Sequence, residues 1–187
     1  MVAGDPGNLK VTMADDLARA EVLLTGHETA RVGIGHDSHP FGPGAPLVLG
    51  GVEIAGAPRL HGHSDGDVAL HAIADALLGA SGQGDLGRLF PADDRTPRGV
   101  ASGTLLDGVR TRLAEGGWRP ASVDITVIAA RPRLGDHLDA MRDAIAARLD
   151  LDRTAVNVKA STGNLDGADG AGRSISAMAV ATVARIR

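Results

Sequence analysis

Three histidines and three aspartates fall within fifteen residues, His61-Gly-His-Ser-Asp-Gly-Asp-Val-Ala-Leu-His71-Ala-Ile-Ala-Asp75. Imidazoles and carboxylates packed this densely are costly to bury unless a metal or a polar ligand compensates them. The stretch therefore reads as a metal and phosphate site. Upstream, Gly35-His-Asp37-Ser-His39 extends it. Residues two apart in an extended segment point to the same side, so Asp37 and His39 can aim at one ion, with His71 as the third ligand. One carboxylate and two neutral imidazoles with a position left open is the donor set of a catalytic zinc. A buried core histidine would explain His71 alone; it does not explain the cluster. The chain has no Cys, which excludes thiolate ligands and disulfides.

These residues need elements to hold them. After the His61–Asp67 turn an amphipathic helix is expected, capped by Ser64 or Asp65, with Val68, Ile73, Leu77 and Leu78 on its buried side and His71 and Asp75 sharing one face. Arg31–Gly35 is a short β-like run delivering Asp37 and His39. Pro46–Ile54 reads as a hairpin around Gly50-Gly51. Gly84–Asp94 is a Gly- and Asp-rich loop, in which Asp85 is a good acceptor for sugar hydroxyls. Ser102–Ala114 fits a helix ended by Gly116-Gly117. Ser122–Ile128 alternates like a half-buried strand, Arg131-Pro132-Arg133 is a rigid basic turn, and Leu134, Leu138, Met141, Ile145 and Leu149 form a helical core stripe. Val156–Ala160 is a strand leading through Ser161-Thr162 into a Gly- and Asp-rich loop that ends at Gly172. Ile175–Val183 is read as a last strand. Strands alternating with helices make an α/β or α+β sandwich.

At 187 residues and 43% apolar content the chain can build one real core, and with 2% aromatics that core is made of small aliphatics. A net charge of −4 without a basic run argues against nucleic acid as partner. No apolar run reaches the ~20 residues of a membrane span, and residues 1–24 lack a signal-peptide core, so a cytoplasmic protein is expected. Residues 1–24 read as an extended piece and a helix over Met13–Leu24, with Thr12 as cap and Asp15 reaching back to it. Residues 25–30 read as a linker.

Residues 31–187 resemble the 2-C-methyl-D-erythritol 2,4-cyclodiphosphate synthases of the non-mevalonate isoprenoid pathway. The resemblance is carried by Gly35–His39, by the long run His63–Gly79, by Gly84–Pro91 and by Val156–Ala160. Gly4–Thr12 and Asp16–Glu21 resemble the C-terminal end of the cytidylyltransferase of the same pathway, which implies a fused bifunctional protein or its remnant. The synthase resemblance implies a mixed sheet with helices on one face, and a homotrimer with active sites between subunits. It implies a CDP-linked substrate, 4-diphosphocytidyl-methylerythritol 2-phosphate, cyclised with loss of CMP. Zn²⁺ would sit on Asp37, His39 and His71, and Mg²⁺ or Mn²⁺ would accompany the diphosphate. His63 and Thr162 would steady the transition state. Ser64, Asp85, Leu86, Gly87, Phe90, Asp94 and Ser161 would contact substrate. Ala129, Ala130, Arg131, Pro132, Arg133, Leu134 and Gly135 would hold the cytidine.

The chain departs from that family where the diphosphate should be clamped. Asn164 stands where a metal-binding Glu is usual, so the second metal should bind more weakly. Ala168 replaces a Phe, Ala171 replaces an Arg, with Arg173 two residues on, and Ala92 replaces an Asp. Three functions remain in competition: the synthase, a catalytically weak trimeric zinc-binding paralogue that holds CDP or isoprenoid ligands, and an unrelated metallo-phosphohydrolase.

Overall fold

The computed structural model describes residues 12, 13, 15–17, 20 and 30–186. Four strands form one mixed sheet in the order β1-β6-β4-β5: β1 (Arg31–Pro40), β4 (Trp118–Ile128), β5 (Val156–Ser161) and β6 (Ser174–Arg185). The pair β4 and β5 is parallel; β6 runs antiparallel to both β1 and β4. A small hairpin, β2 (Leu47–Leu49) and β3 (Val52–Ile54), stands apart from it. Gly50 and Gly51 both take positive φ, 59° and 78°, as a tight two-residue hairpin turn demands.

The helices α1 (Val68–Ser81), α3 (Ser102–Glu115) and α4 (Leu138–Leu149) cover one face of the sheet. The short helices α2 (Leu86–Leu89) and α5 (Gly167–Gly170) belong to loops. Helix α1 is apolar nearly all round and lies against β1 and β6. Its approach to β1 is so close that a methyl group built on Gly35 would fall 2.0 Å from the Ala72 carbonyl oxygen, and one on Gly33 would fall 2.1 Å from that of Ala76. The glycines of β1 and the alanines of α1 are therefore one joint, which a side chain would force apart.

Val68, Ile73, Leu77 and Leu78 are fully buried, as the helical spacing requires. The cap is Asp67, however, and not Ser64 or Asp65. Its carboxylate accepts from Ala69 and Leu70 N–H at 3.1 Å each, and also from the Gly50 and Gly51 N–H groups at 2.8 and 2.7 Å. A completely buried carboxylate is tolerable because these backbone donors surround it; burial still pushes its carboxyl above the usual range.

Three strands are several residues longer than the sequence pattern indicates: β1 runs on from Gly35 to Pro40. Strand β4 begins at Trp118, and β6 runs from Ser174 to Arg185 through the middle of the sheet. Among the described residues, no helix of the 30–186 region covers the other face of the sheet: Val32, Ile34, Met178 and Val180 stand out from it 66%, 65%, 47% and 42% exposed. Of the expected N-terminal helix, Asp15–Leu17 are helical; residues 1–11, 14, 18–19 and 21–29, with most of the tail and the linker, lie outside the described residues. There Asp16, and not Asp15, reaches back, accepting at 3.0 Å from the Thr12 N–H and hydroxyl and from the Met13 N–H.

Candidate active site

Strand β1 ends at the N-terminal part of α1, and its odd-numbered residues face that helix. Asp37 and His39 thus arrive beside His71, and one ligand atom from each lies within 4.8 Å of the others. Asp37 Oδ2 is 3.0 Å from His39 Nε2 and 2.8 Å from His71 Nδ1. Burial acts to raise the Asp37 carboxyl, but the hydrogen bonds from the two imidazoles outweigh it and hold the group well below the usual carboxylate range. His39 is shifted upward, first by its hydrogen bond to Asp37. A divalent cation set between these three atoms would compensate the same carboxylate charge. One carboxylate oxygen and two imidazole nitrogens at this spacing fit a divalent ion.

Each imidazole has its outer nitrogen fastened. His39 Nδ1–H donates to the His61 carbonyl at 2.5 Å. His71 Nε2 lies 2.8 Å from Ser102 Oγ and 3.1 Å from Ser64 Oγ. Ser64, read from sequence as a substrate contact, is buried and turned toward His71. His63 Nε2–H donates to the Thr96 carbonyl at 2.6 Å, and its own carbonyl accepts from Gly99 N–H at 2.7 Å. Ser102 and Thr96 were not legible as site residues, because they approach only through the fold.

Asp75, one turn beyond His71, accepts from Leu86 N–H at 2.7 Å and so ties the start of α2 to α1. Burial moves its carboxyl upward, and the nearby Asp85 and Asp37 charges add to that. Asp85 caps α2 by accepting from Arg88 N–H at 2.9 Å and pairs with Arg88 Nε at 3.0 Å. Leu86 and Gly87 follow it, Phe90 packs against the core, and Asp94 is exposed in the loop beyond.

At the same end of the sheet, Ala129, Ala130, Pro132, Arg133, Leu134 and Gly135 line one hollow together with Ser161 and Thr162. Arg131 turns away from it. Its guanidinium lies over Phe41, 5.1 Å from the ring centre, and its Nε–H donates to the Gly172 carbonyl at 2.9 Å, so it walls a neighbouring hollow. Asn164 is exposed in the loop after β5 at φ 50°. Strands β1 and β5 are opposite edges of the sheet, about 14 Å apart at three inter-strand spacings. Within one chain, then, Thr162 and Asn164 stand apart from Asp37, His39 and His71.

Fold and site together define a metal-binding α/β protein whose ion cradle hangs between an edge strand and its covering helix. The chain belongs to the YgbB family, whose model matches residues 30–184. It is 51% identical over 156 residues to 2-C-methyl-D-erythritol 2,4-cyclodiphosphate synthase of Alkalilimnicola ehrlichii, covering 83% of this chain and 95% of that one. It is 45% identical over 185 residues to the bifunctional enzyme IspD/IspF of Anaeromyxobacter dehalogenans, covering 99% of this chain but 47% of the relative. The chain thus spans about half the length of its bifunctional relatives. Among solved structures, the bifunctional IspDF of Campylobacter jejuni superposes with a TM-score of 0.81 at 37% identity, over 86% of this chain and 43% of that one. IspF of Plasmodium falciparum, in complex with CDP, gives 0.73 at 29% identity, over 87% and 100%.

Proposed function

We propose that residues 31–187 convert 4-diphosphocytidyl-2-C-methyl-D-erythritol 2-phosphate to 2-C-methyl-D-erythritol 2,4-cyclodiphosphate and CMP, in the cytoplasm. The observation that carries this reading is the Asp37, His39 and His71 trio, placed at the same end of the sheet as the Ala129–Gly135 hollow. In this reading the 2-phosphate oxygen attacks the β-phosphorus, and the bond to the α–β bridging oxygen breaks so that CMP leaves. Zn²⁺ on the trio would supply Lewis acidity toward the β-phosphate, and Mg²⁺ or Mn²⁺ would accompany the diphosphate near Asn164. The chain's own residues do the positioning on which such transfers depend. Asp85, Leu86 and Gly87, held against α1 through Asp75, receive the methylerythritol hydroxyls. His63 and Thr162 flank the phosphates, and the 129–135 turn takes the cytosine.

A hollow of about 210 Å³ is smaller than the ~300–1,000 Å³ usual for a whole ligand. The separation of Thr162 from the metal trio also favours a site completed by a second chain. The exposed apolar face of β1 and β6 offers the surface for that association, and a homotrimer is the assembly proposed. Residues 1–24 are proposed as the end of a cytidylyltransferase module and 25–30 as the linker, since the likeness to the bifunctional relative continues through them.

A second reading, a zinc-binding paralogue of weak activity, is favoured by Asn164 and by Ala171 at the diphosphate end. Phosphorus-31 NMR of the zinc- and magnesium-loaded protein with the CDP-linked substrate separates the two. CMP together with a cyclic diphosphate signal is the expected result. An unchanged substrate spectrum from folded, zinc-loaded protein would sink the synthase reading.

A further inference from the structure

We propose that Ser102, with Asp65 behind it, is a positioning residue for the metal ligand His71: it takes the Nε2 proton and so turns Nδ1 toward Asp37 and His39. The inference rests on the metal reading of that trio. His39 and His63 give their outer protons to backbone carbonyls. His71 is different, because its outer nitrogen meets hydroxyls, which can accept or donate.

The proton inventory decides which. Ser102 Oγ touches Asp65 Oδ1, His71 Nε2 at 2.8 Å and Ser64 Oγ at 3.3 Å. A hydroxyl has one hydrogen, and a carboxylate can only accept. The charged acceptor takes that hydrogen, which leaves the lone pairs of Ser102 for the Nε2–H of His71. Asp65 is itself fixed. Its Oδ2 accepts from Ser102 N–H at 3.0 Å, its Oδ1 accepts from Asp67 N–H at 3.2 Å, and its own N–H donates to the Val100 carbonyl at 3.0 Å. Ser64 Oγ is farther from Nε2 and already accepts from Gly66 N–H at 3.1 Å.

Ser102 is 1% exposed and opens α3, yet makes no cap: the cap position is Ala101, with no side-chain bond to the helix. Leu106, Val109 and Leu113 bury α3 in the core beside α1. The packing of α3 thus sets where the hydroxyl stands. With Nε2 committed as donor, Nδ1 is the nitrogen left to bind an ion, which is the outer-shell control known to matter at metal-bound histidines.

The test measures equilibrium zinc affinity by chelator competition for wild type, Ser102→Ala and Asp65→Asn. It adds melting curves of the metal-free proteins and the exchange-protected His71 Nε2–H resonance of the zinc-loaded ones. Ser102→Ala is expected to weaken zinc binding about 10–100-fold, to lose the protected resonance, and to melt close to wild type without metal. Asp65→Asn keeps the shape but replaces the charged acceptor of the hydroxyl hydrogen by a neutral amide, and is expected to weaken zinc in the same direction by a smaller factor. That variant decides the matter if Ser102→Ala does not fold. Zinc affinity within twofold of wild type in the folded variants, with the resonance intact, would overturn the proposal. Failure of the wild type to bind zinc would sink the metal reading itself.

Discussion

The two ends of the candidate site are built differently. Around His71 nearly every polar atom is fastened: both outer imidazole nitrogens of the trio have partners, Asp67 binds two elements at once, and Asp75 holds the neighbouring loop. The 161–173 loop is exposed for most of its length, with Asn164 and Leu165 both in the left-handed region at φ 50° and 64°. Its backbone is held from outside at the Gly172 and Arg173 carbonyls, by Arg131 Nε–H and Phe41 N–H, while the ties of its own side chains are local. Asp169 accepts from the Ser174 and Ser176 hydroxyls, and Asp166 accepts from Gly167 N–H. The chain preorganises the ion cradle by itself through buried side-chain bonds, whereas the side chains of the 161–173 loop are mostly exposed.

The strongest way to break this contrast is to separate the two ends onto different chains. His63→Ala and Thr162→Ala should each lower turnover on the order of 10²–10³-fold, the usual loss for a removed transition-state donor. If the site spans two subunits, co-expression of the two inactive chains restores sites holding both native residues, about a quarter of the total for random assembly of a closed ring. Activity of the mixture no higher than either parent would show that one chain supplies both groups.

A smaller effect is expected from Asn164→Glu. Returning a charged oxygen ligand should lower the magnesium concentration needed for half-maximal turnover on the order of tenfold, with zinc affinity unchanged. Titration of turnover against magnesium checks it, and an unchanged curve would mean that position 164 does not meet the second ion.

The smallest effect concerns charge in the cradle. Asp75 has its folded pKa raised, first by burial, with an upward contribution from the Asp85 and Asp37 charges. A raised carboxyl means that the folded state holds the proton more tightly than the unfolded one, so stability declines as pH rises from the unfolded value through the folded one. Asp75→Asn keeps an acceptor for Leu86 N–H and removes that charge. Metal-free Asp75→Asn should therefore melt slightly above wild type at neutral pH, and the gap should close in acid below the ordinary carboxylate range. Melting curves at the two pH values decide; a gap that persists in acid would have another cause.

Much of the cradle was readable from spacing alone. Asp37 and His39 are two apart in a strand, and His71 lies on an apolar helix, so their meeting follows from period and burial. Sequence pattern failed where one residue serves two elements. Asp67 stands directly before Val68 and also captures the Gly50-Gly51 turn; a local capping rule allows Ser64, Asp65 and Asp67 alike, and the bonds to the turn that single out Asp67 are invisible to it. Ser102 reads locally as the start of a helix, and its approach to His71 depends on how α3 packs beside α1. Strand β6 was under-measured because its Ala and Ser residues alternate too weakly in hydropathy to mark its ends. Arg131 fits the basic turn by type, but the attraction of Phe41 and the Gly172 carbonyl draws it aside.

The joint between β1 and α1 works as a gauge. Gly33 and Gly35 leave no compressible side chain between strand and helix, so the backbone of α1 sits at a height fixed by hard contact with the Ala72 and Ala76 carbonyls. His71 stands one residue from Ala72, and Asp37 two from Gly35. The opening offered to an ion is therefore set by backbone against backbone, with little slack from rotamers. A soft interface would let the two elements drift apart; this one holds the strand that bears Asp37 and His39 at a fixed height over the helix that bears His71.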